Sequence, residues 1–258
     1  MERVDLNCDM GESFGAWSLG ADEAVLPWVT SANVACGFHG GDPAVMRRTV
    51  RSALARGVAV GAHPGLQDLA GFGRRAMGIS PDETYELVLY QVGALAGFAH
   101  AAGVRLSHVK PHGALYNMAA RNASLADAIA TAVRDFDPGL TLFGLAGSEL
   151  VAAGERAGLL TAAEVFADRN YEADGSLVPR NRPDALLADA CAVVPRVVRM
   201  VREGRVASVS GADLAVRADT VCVHGDGPRV AEIARALRTG LEAEGITVAA
   251  PGARAHAG

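Results

Sequence analysis

The chain has 258 residues, of which 50% are hydrophobic and 5% aromatic, and its formal net charge is −5. This composition is typical of a soluble α/β protein, and the length allows a substantial hydrophobic core. The mild negative charge gives no electrostatic case for nucleic acid or an anionic membrane surface as a partner.

No run of about 18 uninterrupted apolar residues is present, so we expect no membrane span. The segment MERVDLNCDMGES lacks the charged and apolar regions of a signal peptide, so we expect a cytoplasmic location. The cysteines show no CxxC spacing and are expected to be free thiols. They are Cys8, Cys36, Cys191 and Cys222.

Strand-like and helix-like segments alternate along the chain. The predicted strands cover residues 3–8, 33–36, 58–62, 106–109, 140–145, 163–166 and 221–223, with 246–249 as an eighth strand or an edge piece. The predicted helices cover residues 42–57, 80–103, 124–136, 148–157, about 184–204 and 228–244. Asp42-Pro43 is a typical helix start, and Ser80 with Glu83 fits a capping box.

Seven or eight such strand–helix units, each of roughly 30 to 35 residues, are typical of a parallel β/α barrel. No linker or low-complexity segment interrupts the series, so we predict one barrel domain over residues 1–250 and a disordered tail over 251–258. An open doubly wound sheet is the alternative. The turn GESFG after the first strand does not match the dinucleotide-binding pattern G-x-G-x-x-G, which disfavours that alternative.

Four of the seven histidines follow a predicted strand directly or within about three residues. They are His39, His63, His112 and His224. The C-terminal ends of barrel strands gather on one face, so we expect these imidazoles to converge. Taken singly, each could equally be a hydrogen-bonded loop histidine. We assign no role to the remaining three, His100, His108 and His256.

Other polar residues are predicted at the same face. Asp5, Asn7 and Asp9 share one side of the first strand because side chains alternate along it. Further strand ends contribute Glu12, Asn33, Lys110, Glu164, Asp168, Arg169 and Asp226. Buried carboxylates need partners, so several should pair with the lysine, arginine or histidines. Together these residues predict a site for acid–base chemistry. The alternative is a polar network that has no catalytic role and only closes the end of the barrel.

A long loop carries two adjacent arginines, Arg74 and Arg75, which suit a carboxylate or phosphate but are equally common as solvated surface. The segments HGGDP and HGDGP lead into helix N-termini, whose free N–H groups favour an anion. The histidines and aspartates could hold Zn²⁺ or Mn²⁺, but no HxH or HExxH spacing supports this. Metal binding is therefore left open.

Several long segments resemble the LamB/YcsF family. They are VDLNCDMGESFG, SANVACGFHGGDP, HPGLQDLAGFGRR and VKPHGALYN, with EVFADRNYEADGSLVPR and VRADTVCVHGDGP further along. The resemblance covers residues 2–249. It implies a seven-stranded, irregular barrel similar to the glycoside hydrolase/deacetylase superfamily. It also implies ATP-dependent hydrolysis of the 5-oxoproline lactam to L-glutamate, together with two further 5-oxoprolinase subunits, B and C.

Such a reaction uses ATP, with Mg²⁺, to activate the lactam carbonyl, and then needs a base, an acid and donors for the oxyanion. From their strand-end positions, the candidate catalytic residues are Asp9, Glu12, His39, His63, Lys110, His112 and His224. The candidate substrate-binding residues are Asn7, Asn33, Arg74, Arg75, Asp168, Arg169 and Asp226. Two alternatives stay open, a non-catalytic subunit that binds 5-oxoproline and a metal-dependent deacetylase or amidohydrolase acting on a sugar or small amide.

Overall fold

The computed structural model describes residues 2–187, 190–223 and 229–252, and within them it contains ten strands and eight α-helices. The strands are β1 Arg3–Met10, β2 Ser31–Ala35, β3 Ala59–His63, β4 His108–Val109, β5 Thr141–Leu145, β6 Leu160–Phe166, β7 Arg205–Ala207, β8 Asp213–Ala215, β9 Thr220–Val223 and β10 Thr247–Val248. The helices are α1 Asp22–Val25, α2 Pro43–Leu54, α3 Pro81–Ala101, α4 Gly113–Ala119, α5 Ala123–Phe136, α6 Glu149–Arg156, α7 Ala190–Glu203 and α8 Val230–Ala243.

Seven parallel strands of this described part close into a barrel in the order β1-β2-β3-β4-β5-β6-β9, because β9 pairs with both β6 and β1. β10 is an additional parallel strand that pairs with Arg3 and Val4 at the start of β1. β7 and β8 form a separate antiparallel pair. The predicted seven-stranded barrel with one extra strand is therefore confirmed, and the open doubly wound sheet is wrong.

The two faces of β1 have different environments because its side chains alternate. Leu6 and Cys8 belong to the hydrophobic core. On the opposite face, the Asn33 side-chain N–H₂ of β2 donates to Asn7 at 2.7 Å and to Asp9 at 2.8 Å. The prediction that alternate polar residues of this strand face the barrel interior is thus confirmed, and the interior is polar near the C-terminal strand ends.

Two of the predicted helix starts are confirmed. The Asp42 carboxylate accepts hydrogen bonds from two backbone N–H groups in the first turn of α2, with Pro43 as first helical residue. Ser80 and Glu83 form the capping box of α3. These contacts satisfy N–H groups that the helix itself leaves unpaired, and so they fix where each helix begins.

One predicted helix start needs correction, and two elements of the structure were not predicted. The helix predicted from about residue 184 starts at Ala190, because the N–H of Leu187 donates to Asp168 and the carbonyl of Ala185 accepts from Asn170. The backbone at 185–187 is therefore bound to the preceding loop. Helix α4 and the β7–β8 pair were not predicted, since each is too short to produce a periodic pattern.

Some predictions concern residues that the structure covers incompletely. Residues 253–258 of the predicted tail lie outside the described residues, and the single-domain extent 1–250 stays a prediction. Three of the cysteines, Cys8, Cys36 and Cys222, are buried free thiols. Among the described helices, none has the length and apolar character needed to cross a membrane.

Gly61 of β3 provides a test of packing inside the barrel. A Cβ atom on Gly61 would overlap the imidazole ring of His108. We expect Gly61→Ala to lower the free energy of unfolding by about 1–3 kcal/mol, because an overfilled interior forces side chains out of place. Gly93→Ala is the matched control. Gly93 is exposed on α3 with open space around it, and alanine there should stabilise the fold by about 0.5–1 kcal/mol.

Urea denaturation of both variants measures these changes. Equal destabilisation by the two substitutions would contradict the packing argument.

Candidate active site

A cavity of about 1070 Å³ opens where the C-terminal ends of the barrel strands meet. Asp9 at the end of β1, His63 at the end of β3 and Lys110 after β4 line it. Four arginines also line it, and they are Arg74, Arg121, Arg169 and Arg180. The cavity therefore combines ionisable groups of the barrel with cationic side chains of the surrounding loops.

The Lys110 ammonium group lies inside the barrel and joins four strands. Its Nζ is 3.0 Å from Asp9 Oδ1 and 2.8 Å from Glu164 Oε1. It also donates to Asn7 Oδ1 at 3.2 Å and to Cys222 Sγ at 3.1 Å. These partners come from β1, β6 and β9, while Lys110 itself follows β4. We call these five residues the lysine network.

The charge state of Lys110 follows from a balance of two effects. Burial alone would lower the pKa of the amine, because an isolated charge is poorly solvated in the protein interior. Asp9, Cys222 and Glu164 act in the opposite direction and hold the pKa of Lys110 well above its usual value. Lys110 is therefore a fixed cation in the barrel at neutral pH.

A second group lies beside the lysine network and contains Glu12, His39, His63 and His112, which we call the histidine–glutamate cluster. His63 Nε2 is 2.9 Å from His112 Nδ1, and the rings of His39 and His112 stack with centroids 3.7 Å apart. Glu12 Oε1 is 3.6 Å from both His39 Nε2 and His112 Nδ1. Each member offers one ligand atom, and the four atoms lie within 4.8 Å of one another, so the cluster could hold a metal ion.

Burial favours the neutral form of two imidazoles in the cluster. It lowers the pKa of His39 well below the usual value, and the neighbouring His63 adds to this effect. Burial likewise lowers the pKa of His112, together with His39 and His63. Among the described residues, neither ring nitrogen of His39 has a hydrogen-bond partner. Buried imidazole nitrogens normally find one, so this side chain needs an explanation beyond the protein's own hydrogen bonds.

Asp9 connects the two groups. Its Oδ1 accepts from Lys110 and from Asn33, while its Oδ2 is 3.4 Å from His63 Nε2. One carboxylate therefore contacts the buried cation with one oxygen and an imidazole with the other. Such a pair at a cavity wall can exchange a proton with a bound molecule.

Comparison with known proteins gives the family. The LamB/YcsF family model matches residues 4–256. The chain belongs to the LamB/YcsF family. A relative from Bacillus licheniformis, named as the A subunit of 5-oxoprolinase, is 61% identical over 250 residues, covering 97% of this chain and 99% of the relative. A relative of the same name from Bordetella pertussis is 61% identical over 247 residues, covering 96% of this chain and 98% of the relative.

Solved structures agree with the fold of this LamB/YcsF chain. The lactam utilization protein from Thermus thermophilus is 51% identical, with a TM-score of 0.91 over 96% of this chain and 99% of that chain. A family 4 carbohydrate esterase from Streptomyces lividans is 13% identical, with a TM-score of 0.50 over 96% of this chain and 91% of that chain. The second likeness concerns the fold alone.

Most of the predicted site residues of this LamB/YcsF chain lie together. The two groups defined above and the adjacent Asn33 account for Asn7, Asp9, Glu12, Asn33, His39, His63, Lys110 and His112. Arg74 and Arg169 line the cavity. Arg75 instead pairs with Asp68, and Asp168 is buried beside the cavity lining. His224 and Asp226 lie outside the described residues.

Sequence reasoning missed one interior histidine of the site. His108, to which no role was assigned, places Nε2 2.7 Å from Asn33 Oδ1 and stacks on Phe143. Because the Asn33 amide donates to Asn7 and Asp9, its oxygen is free to accept the His108 N–H. The signal was present in the sequence, since His108 is two residues before Lys110 and therefore shares its face of the strand.

His108 also gives a prediction about acid stability. Burial, with Lys110 nearby, lowers the pKa of His108 from 6.5 to about 3. Below pH 6.5 the unfolded chain binds a proton there while the barrel does not, so stability is lost as the pH falls towards 3. Between pH 7 and pH 4 this loss amounts to about 3 kcal/mol.

We therefore expect the destabilisation caused by His108→Gln to be smaller at pH 4 than at pH 7 by about that amount. Thermal or urea unfolding at both pH values measures it. His100→Gln, on the exposed side of α3, is the control. A pH-independent cost for His108→Gln would rule out the neutral, buried imidazole.

Proposed function

We propose that the chain is a subunit of an ATP-dependent 5-oxoprolinase, which hydrolyses 5-oxo-L-proline to L-glutamate with conversion of ATP to ADP and phosphate. The observation that carries the proposal is the 61% identity, over 97% of the chain, to a protein named as the A subunit of 5-oxoprolinase. The name of the Thermus structure, a lactam utilization protein, points to the same substrate class. ATP with Mg²⁺ is the co-substrate, subunits B and C are the partners, and the complex works in the cytoplasm.

The chemistry explains why ATP is needed. A five-membered lactam is a poor electrophile because its amide resonance is intact and its leaving amine is basic. Transfer of the γ-phosphoryl group to the carbonyl oxygen gives an activated imidate. Water then adds to the activated carbon, the C–N bond breaks, and the ring nitrogen takes a proton. A second water molecule releases phosphate, which leaves L-glutamate.

The residues at the floor of the cavity suit these proton transfers. We assign Asp9 to the acid–base steps, since it lines the cavity and its Oδ2 lies 3.4 Å from Nε2 of His63, which remains a candidate for the same steps. Lys110 is a fixed cation beside them, and it stabilises negative charge that develops on the substrate oxygen. Glu12, His39, His112 and His224 remain candidates for the same catalytic steps.

The arginines suit the anionic parts of the substrates. Arg169 lines the cavity, and burial, together with nearby Arg180, lowers its pKa to about 10, so it is still a cation at neutral pH. Arg74 also lines the cavity, with its guanidinium 4.8 Å from the centre of the Phe72 ring. We assign these two to the 5-oxoproline carboxylate or the transferred phosphate. Asn7, Asn33, Arg75, Asp168 and Asp226 remain candidate binding residues.

The acid–base assignment is tested by Asp9→Asn in the complex reconstituted with subunits B and C. The side-chain oxygen that accepts from Lys110 and Asn33 is retained and Glu164 stays paired with Lys110, so the fold should persist at reduced stability, while the proton acceptor beside His63 is lost. We expect kcat for glutamate formation to fall by about 10²–10⁴-fold. Asp127→Asn, an exposed residue on α5 that pairs with Arg156, is the matched control.

Calorimetric titration of the same variants with 5-oxoproline shows whether the substrate still binds. Near-normal turnover by Asp9→Asn would contradict the catalytic assignment and favour a non-catalytic binding role.

The two neighbouring arginines give a second test of substrate binding. Arg74 lines the cavity, whereas the Arg75 guanidinium is bonded to Asp68. We expect Arg74→Ala to raise KM for 5-oxoproline by about tenfold or more, because a charge-assisted hydrogen bond contributes about 1.5–3 kcal/mol. Arg75→Ala should raise KM less. A larger effect of Arg75→Ala would place the anion on the Asp68 side of the loop.

A further inference from the structure

Two backbone carbonyls fix which nitrogen of each imidazole carries its proton in the histidine–glutamate cluster. His63 Nδ1 is 2.7 Å from the carbonyl oxygen of Lys110, and His112 Nε2 is 2.8 Å from that of Phe72. A carbonyl oxygen can only accept, so both of these ring nitrogens must carry a hydrogen and donate. In the neutral rings, the other two nitrogens are therefore bare acceptors.

Those two bare nitrogens face each other. His63 Nε2 and His112 Nδ1 are 2.9 Å apart, which is hydrogen-bond distance, yet neither neutral ring has a hydrogen left to place between them. Two lone pairs at this separation repel each other in a buried site. The arrangement is stable only if a positive charge, either a proton or a metal ion, lies between the two nitrogens.

The ring nitrogens of His39 present a related problem on the other side of the cluster. His39 is fully buried, and neither of its ring nitrogens has a hydrogen-bond partner among the described residues. Its Nε2 is 3.6 Å from Glu12 Oε1, which is too far for a hydrogen bond. The same Glu12 oxygen is also 3.6 Å from His112 Nδ1. Both gaps are too long for a direct hydrogen bond.

A proton satisfies only one of these contacts. Placed between His63 and His112, it relieves their repulsion but leaves His39 and Glu12 separated by the same gap. Placed on His39, it leaves the two facing lone pairs unchanged. A single metal ion among the four groups can serve all of these contacts, provided that one of the two parallel, stacked rings of His39 and His112 tilts towards it.

We propose that Glu12, His39, His63 and His112 bind one divalent transition-metal ion through three imidazole nitrogens and one carboxylate oxygen. Bonds of about 2.0–2.1 Å in a tetrahedral site place neighbouring ligand atoms about 3.4 Å apart. The separations of 2.9, 3.6 and 3.6 Å lie close to this value, while the widest, within 4.8 Å, must shorten on binding. Imidazole-rich sites suit zinc and other late first-row metals better than Mg²⁺ or Ca²⁺.

The surroundings of the cluster fit a metal site. The hydrogen bonds from His63 and His112 to backbone carbonyls are the kind that orient metal-binding imidazoles. Both histidines line the cavity, so a molecule bound there would reach the ion from that side. On the other side, Gly65 packs against His39, since a Cβ at that position would lie 2.5 Å from His39 Nδ1.

Metal analysis of the untagged chain, purified without chelator and dialysed against metal-free buffer, is the first test. We expect close to one equivalent of a single transition metal, with zinc as the leading candidate, by mass spectrometry of the digested protein. Chelator-treated chain to which Co²⁺ is added should develop the visible absorption of Co²⁺ in a nitrogen- and oxygen-ligated site, with saturation at one equivalent. Its thermal midpoint should rise at the same time.

Variants locate the ion. His39→Ala, and Glu12→Gln, which keeps the shape of the side chain, should each lower the bound metal at least tenfold after dialysis and remove the Co²⁺ spectrum. His100→Ala, an exposed histidine on α3, should bind metal like the unaltered chain. These measurements use the chain alone, so they are independent of lactam hydrolysis and of the other subunits.

The proposal is overturned if the folded, unaltered chain retains less than about a tenth of an equivalent of metal and gives no Co²⁺ spectrum. A proton shared between His63 and His112 would then be the cation of the cluster. Metal that survives both His39→Ala and Glu12→Gln would equally overturn it, because the ion would be bound elsewhere. Circular dichroism confirms that each variant compared is folded.

Discussion

The buried positive charge of Lys110 is the constraint on which the interior of this barrel depends. An ammonium group inside a protein is strongly unfavourable unless carboxylates and hydrogen-bond acceptors surround it. Asp9 and Glu164 provide the charges, at 3.0 and 2.8 Å, and Asn7 and Cys222 complete the contacts. Because these partners come from three other strands, the charge pairing forms only when the barrel is closed. Removal of one partner from such a buried pair typically costs about 3–5 kcal/mol.

This pairing determines what Asp9 is able to do. One of its oxygens accepts from Lys110 and Asn33, and that arrangement holds the carboxylate in a single orientation. The other oxygen points to His63 Nε2. A charge pair that stabilises the fold thus also positions an acid–base group at the cavity, and the loss of Lys110 would disturb both properties. The catalytic chemistry that we propose therefore depends on the same contacts that stabilise the barrel interior.

The sequence predicts the barrel and the convergence of the site because both follow from local rules. Alternation along β1 puts Asp5, Asn7 and Asp9 on one face, and parallel strands bring their C-terminal ends together. The separate contacts of Arg74 and Arg75 do not follow from such rules, since the loop that carries them has no periodicity. Nor does the histidine–glutamate cluster, whose successive members are 24 to 49 residues apart along the chain and meet only through the closure of the barrel.

Gly73 and the residue before it shape the backbone around two histidines of the site. Gly73 has φ +62°, and a Cβ on it would lie 2.8 Å from His39 Cβ and 2.9 Å from His112 Cδ2. The preceding residue, Phe72, has φ 56°, an unfavourable conformation for an aromatic residue, and its carbonyl is the one that accepts from His112 Nε2. The backbone is thus held in a strained form that leaves room for two stacked imidazoles and fixes the protonated nitrogen of one of them. Strain of this kind persists only where the surrounding contacts stabilise it, and here those contacts include the histidine–glutamate cluster itself.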